Sequence, residues 1–197
     1  MTSNKKMSTQ TLVLAGALTA LVIILQYLGS FIRLGTFSVS LVLIPIVIGA
    51  ATCGVSVASW LGLVFGVMVF ATGDANLFLS INYYGTIITV ISKGVLCGTL
   101  SALAYKGANA VLKKFAPKNH SLYAVFVAAF VCPLVNTGVF LLGCALFFMN
   151  TMKEGAGGGN VFIYMIVVFV GFNFLFELLF NMILSPIVSR LISYRNK

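Results

Sequence analysis

Residues 81–105 read INYYGTIITVISKGVLCGTLSALAY, twenty-five positions carrying one charged side chain, Lys93. A helix needs about 20 predominantly apolar residues to cross the hydrocarbon core of a bilayer, and this stretch supplies them with length to spare. Outward from it, apolar runs recur at 11–28, 37–52, 55–71, 121–149 and 161–190. Pro45 interrupts the second run, and Gly49 and Gly54 bracket its junction with the third, so this pair is expected to be short, kinked or tightly joined.

Composition supports the same conclusion. The chain of 197 residues is 60% hydrophobic and 8% charged, where a soluble domain carries roughly a quarter charged residues. Too few charges exist to cover a globule of this size. The expected fold is therefore an all-α integral membrane protein: a compact bundle of six transmembrane helices, forming a single domain over residues 1–197.

The 12 Lys and Arg against 3 Asp and Glu could suggest nucleic acid, but their positions describe topology instead. Lys5 and Lys6 precede the first run; Lys106, Lys113, Lys114 and Lys118 lie between the fourth and fifth; Arg190, Arg195 and Lys197 follow the last. With six spans these nine fall on one side, and only Arg33 and Lys153 on the other. The positive-inside rule then places both termini in the cytoplasm. The basic, apolar N-terminal stretch has no convincing small-x-small cleavage site followed by a soluble domain and reads as a retained helix.

On this topology the external connections are 29–38, 72–80 and 150–160. The last holds Gly155, Gly157, Gly158 and Gly159 and reads as a mobile hairpin. The first helix carries Gly16 and Ala20 four residues apart, the small-residue spacing that lets another helix approach closely, within the bundle or from a partner.

Lys93 and Glu177 are the ionisable side chains that the runs place inside the membrane, where such residues pair or line a cavity. They either form an ion pair joining the fourth and sixth helices, or face a ligand. Asn173, Glu177 and Asn181 recur every four residues and share a face; Asn173 reads as pocket wall or interhelical contact, Asn181 as an interhelical contact. Asn136 follows Pro133, which frees backbone acceptors in the preceding turn. Asn76, Asn82, Tyr83 and Tyr84 gather near one membrane face, where Tyr is also expected as an interfacial anchor.

Enzyme readings lack parts. There is no G-x-S-x-G, no His/Glu metal cluster, and only three carboxylates, Asp74, Glu154 and Glu177, from different segments. Cys53, Cys97, Cys132 and Cys144 form no C-x-x-C, so neither a metal site nor a disulfide framework is expected. No G-x-x-x-x-G-K-[ST] occurs, so any ATP-driven step must use ATP on another chain.

Leu34-Gly35-Thr36-Phe37-Ser38 leading into Leu43-Ile44-Pro45-Ile46-Val47-Ile48-Gly49-Ala50, with Gly62-Leu63-Val64-Phe65-Gly66 and the small-residue first helix, resembles the substrate-binding S component of energy-coupling factor (ECF) vitamin transporters. The resemblance spans nearly the whole chain. It implies a bacterial plasma-membrane protein that captures a vitamin or its precursor outside. The loaded protein then docks on a transmembrane coupling protein and two ATPase subunits, binding no cofactor itself. It also implies a lid over 29–38, including Gly29, Leu34, Gly35 and Thr36, with Arg33 at the entrance, and a docking face at Gly16 and Ala20, where Gly stands in place of the family's first Ala. Asn136 and Asn173 look like polar pocket residues of riboflavin-binding members.

Substrate-binding candidates are thus Lys93, Asn136, Asn173, Glu177, Tyr84, Asn82, Arg33 and Asn76. An unpaired Lys93 favours a carboxylate ligand such as pantothenate. A Lys93 neutralised by Glu177 favours riboflavin, with Tyr83, Tyr84 or Trp60 to stack on its ring. The competing classes are a stand-alone small-solute transporter or channel, and a membrane scaffold whose polar residues only lock helices together.

Overall fold

The computed structural model describes residues 8–31, 33–34, 37–38, 40–115 and 119–195. Helix α1 spans Thr9–Gly29, and the Ser8 hydroxyl caps it by accepting the Thr11 N–H at 3.2 Å. Two short strands follow, β1 Arg33–Leu34 and β2 Phe37–Ser38, paired antiparallel with Arg33 opposite Ser38. Helices α2 (Leu43–Thr52) and α3 (Val55–Ala71) are joined through Gly54, whose φ of 88° is open to glycine and strained for other residues. Next come α4 (Asn76–Ile81), α5 (Tyr83–Phe115), α6 (His120–Phe147) and α7 (Met149–Gly155). The last apolar run is α8 (Val161–Tyr164), a π-helical stretch over Met165–Val170, and α9 (Gly171–Arg195).

The all-α membrane class is what the structure has. Helices α1, α5 and α6 are long and apolar enough to cross a membrane, with α2 and α3 as shorter apolar helices. The second run differs from its expected helix: residues 37–38 pair as a strand and the helix begins only at Leu43. At ten residues, α2 is about 15 Å long, half the thickness of the hydrocarbon core. It contacts α1, α3, α5, α6 and α9, and Leu43, Pro45, Ile46 and Val47 are buried. A helix apolar on all sides belongs in the interior, and α2 forms the centre of the core with Val22, Leu61, Phe65, Cys97 and Val125.

Helix α5 runs ten residues past Tyr105, carrying Lys106, Lys113 and Lys114 on a helix rather than a loop. Lysines in the last turn complement the helix C-terminal dipole, and Pro117 lies just beyond. Segments 72–80 and 150–160, expected as connections between spans, are largely taken up by the short helices α4 and α7, which overlap them. Only Gly157 and Gly158 in the glycine-rich segment have positive φ, 55° and 89°.

The contact of α3 with α5 fixes the site. Ala58, Gly62 and Gly66, four apart, face Gly98, Gly94 and Val90 on the antiparallel α5. A Cβ on Gly62 would run into the carbonyl of Gly94, and one on Gly98 into the carbonyl of Ala58. The two backbones touch, as small-residue seams in membranes allow, and Lys93 sits beside the tightest point.

Candidate functional site

A cavity of about 70 Å³ opens among α1, α3, α5, α6 and α9. One water needs about 10–15 Å³ by this measure, so the space holds several. Lys93, Asp74 and Glu177 all line it. Two of the three carboxylates in the chain thus meet its one mid-span lysine.

Lys93 reaches the cavity from α5. Its Nζ lies 5.4 Å from the centroid of the Phe65 ring and 5.5 Å from that of Phe140, a distance at which ring faces attract a cation. Phe65 lies between Gly62 and Gly66, so the seam that brings α3 against α5 also brings this ring to the ammonium. Lys93 makes no hydrogen bond, and no ion pair within 4 Å, among the described residues. The direct Lys93–Glu177 pair, one of the two alternatives read from sequence, is not formed.

Glu177 is 2% exposed and is held by dipoles instead. Its Oε1 accepts the backbone N–H of Ser40 at 3.3 Å and the Asn173 amide at 3.3 Å; its Oε2 accepts the Asn136 amide at 3.5 Å. Three donors around a carboxylate do the work of a counter-ion. The Ser40 bond ties the segment following the β-hairpin to the wall of the cavity. Asn181 donates to the Glu177 backbone carbonyl at 2.8 Å, a bond within α9 rather than the interhelical contact expected for it, because a side-chain amide reaches the carbonyl one turn back on its own helix.

At the other side of the cavity, Gln26 is 3% exposed and donates to Asp74 Oδ2 at 2.9 Å, while the Thr72 hydroxyl donates to the same oxygen at 3.0 Å. Asp74 therefore fixes a side chain of α1 against the turn after α3. Asp74 and Glu177, which no spacing related in the sequence, share one cavity.

Of the other residues expected at the site, Asn136 and Asn173 line the cavity and several do not. Asn82 is spent as a cap: its Oδ1 accepts the Gly85 N–H at 2.9 Å. Tyr84 is 77% exposed and Tyr83 is packed edge-on against it, also exposed. Asn76 is exposed at the first position of α4. Trp60 is 52% exposed and donates from its indole to Thr19 at 3.2 Å, so it braces α3 on α1. None of the three rings proposed to stack on a ligand reaches the cavity; its aromatic surface comes from Phe78, Phe140 and Phe174. Gly29 is the buried end of α1, and Leu34 pairs with Phe37 through the backbone. Gly35, Thr36 and the side chains of Arg33 and Leu34 lie outside the described residues.

Gly16 and Ala20 are exposed, and a Cβ on Gly16 would meet nothing within 4 Å. This small-residue face is open rather than packed within the bundle.

Besides Asp74, the residues Gln26, Ser40, Thr137 and the phenylalanines are among the lining residues that were not expected from the sequence. Gln26 had a signal, an amide inside the first apolar run. The others had none, since Ser, Thr and Phe are ordinary in membrane helices.

Charged and amide side chains turned into a cavity, within a bundle that is otherwise apolar, define a membrane protein built to hold a small polar molecule. The family described as ECF transporter, substrate-specific component, matches residues 10–189, and the chain belongs to that family. It is a substrate-binding subunit of an ECF importer, of the kind that works with a coupling protein and ATPases. No curated protein and no solved structure gives a match.

Proposed function

We propose that this chain captures a small vitamin or precursor bearing a carboxylate, pantothenate before riboflavin, from outside the bacterial plasma membrane, and delivers it inward after docking on the coupling protein and two ATPase subunits. The chain crosses the membrane six times with both termini cytoplasmic, and it binds no cofactor of its own. The carrying observation is the Lys93 ammonium, which lines the cavity without an ionic partner among the described residues. An unpaired charge at membrane depth is costly, and a ligand carboxylate compensates it. The same observation ranks riboflavin second, because its case rested on a neutralised Lys93 and on rings that lie elsewhere.

Asn136, Asn173 and Glu177 form the polar wall, the 29–38 segment acts as the lid, and Gly16 and Ala20 form the docking face. The open surface at Gly16 supports that last role.

Native mass spectrometry of the chain purified alone in mild detergent, with extraction of any bound small molecule, tests the reading. A bound carboxylate-bearing vitamin is the expected result. An empty protein that no vitamin stabilises, together with uptake by this chain in cells lacking the coupling protein, would establish a stand-alone transporter instead.

A further inference from the structure

The cavity presents three amides in one chemical arrangement. Gln26 gives its NH₂ to Asp74, and Asn136 and Asn173 give theirs to Glu177. A carboxylate is acceptor-only, so each amide must turn its nitrogen toward it and its oxygen away. Rotating any of the three would set a carbonyl against a carboxylate. The result is that Gln26 Oε1, Asn136 Oδ1 and Asn173 Oδ1 are buried without a hydrogen-bond partner; among the described residues the only other such side-chain atom is Thr89 Oγ1. Buried acceptors are ordinarily satisfied, and three of the four exceptions belong to residues lining one cavity.

The two carboxylates thus act as orienters. They fix the amides so that acceptor oxygens remain for something else, while Lys93 is, among the described residues, the one lining side chain that offers a free charged donor. We infer that the ligand is a small anion whose body carries several O–H or N–H donors, its anionic group meeting Lys93 and its donors meeting the amide oxygens of Gln26, Asn136 and Asn173. This rests on reading the cavity as the substrate site, and it adds a donor-to-acceptor polarity that the carboxylate preference alone does not contain. A ligand of the same shape with ethers or ketones in place of hydroxyls would leave the oxygens unpaired and face their repulsion.

The test is isothermal titration of the purified full chain with pantothenate, biotin and riboflavin, and with derivatives of the two anions in which hydroxyl or ureido donors are methylated or the carboxylate is a primary amide. At least one anion is expected to bind. Each blocked donor is expected to weaken it about 5- to 150-fold, the range for leaving a buried acceptor unpaired. Its amide derivative is expected to be weakened in the wild type and to lose nothing further in Lys93→Met. Methylated derivatives binding within threefold of their parents would overturn the inference, as would neutral riboflavin binding more tightly than both anions. A chain that binds no probe yet co-purifies with the coupling protein and ATPases would overturn the ligand class alone, whereas failure to co-purify would count against the subunit's role. The ligand-side comparison uses unaltered protein, so no misfolded variant can imitate the result.

Discussion

Replacing Lys93 by methionine keeps a long unbranched side chain in place and removes the ammonium. Two terms set its effect on the empty protein. Removing a charge from mid-helix relieves about 2.5–3.5 kcal/mol on membrane-insertion scales. Against that, the ring contacts at 5.4 and 5.5 Å are lost, about 0.5–2 kcal/mol each. The balance runs from about 2.5 kcal/mol of stabilisation to about 1.5 kcal/mol of loss. At about 2–4 °C per kcal/mol for a chain of this size, the Tm of the variant should fall by no more than about 6 °C. Binding has no such compensation: a charge-assisted hydrogen bond of about 1.5–3 kcal/mol disappears, so Kd for a carboxylate ligand rises about 10- to 140-fold. The assay pairs titration with pantothenate and thermal unfolding of the empty protein in the same detergent. A Tm that drops well beyond this range with no ligand protection would show that Lys93 locks helices together, as a scaffold requires. An unchanged Kd with an intact fold would refute the placement of the ligand carboxylate.

Three further outcomes follow from the packing. Gly62→Ala forces α3 away from the Gly94 carbonyl, and overpacking of about 1–3 kcal/mol should lower Tm and weaken binding by displacing Lys93. Gly138→Ala, with open space around its position, should leave Tm unchanged or slightly raised, and equal losses in both would refute the seam. Gly16→Leu should leave Kd unchanged and abolish ATP-driven uptake with the coupling protein and ATPases present; normal uptake would remove Gly16 from the docking face. Trp60→Phe and Tyr84→Ala should leave Kd within twofold of wild type, and a larger loss in either titration would return that ring to the ligand.

The membrane class was legible because it depends on length and composition, which need no tertiary knowledge. Segment ends were less so: residues 37–42 are on average as apolar as the helix after them, yet β2 claims Phe37 and Ser38, and the signal for a strand was the alternation Phe37-Ser38-Val39-Ser40-Leu41, which average apolarity hides. At the site, Lys93, Asn136, Asn173 and Glu177 were visible because a charge or amide inside an apolar run stands out. Tyr84, Asn82 and Asn76 were misplaced because nearness in sequence to α5 says nothing about which side of it a residue occupies. Asn82 is one residue before the helix and serves its first turn, while Tyr84 points away from the bundle. Asp74 stood in the sequence only as one of three carboxylates from different segments, and its meeting with Gln26 across 48 positions depends on how α1 packs on α3, which no local pattern encodes.

The alternative in which Lys93 and Glu177 pair with each other is not realised, for a physical reason. Glu177 has neutral partners: two side-chain amides and one backbone N–H, which together supply the stabilisation that Lys93 would give. An ion pair would have closed the cavity and required a ligand carboxylate to compete with Glu177 for the ammonium. With amides as partners, each carboxylate is stabilised while Lys93 stays available, and the far ends of those amides become the acceptor surface of the same cavity. Amides are therefore the residues this arrangement requires: Asp in place of Asn173 would add charge beside Glu177, and Leu would leave Glu177 with fewer donors and the cavity with one acceptor less.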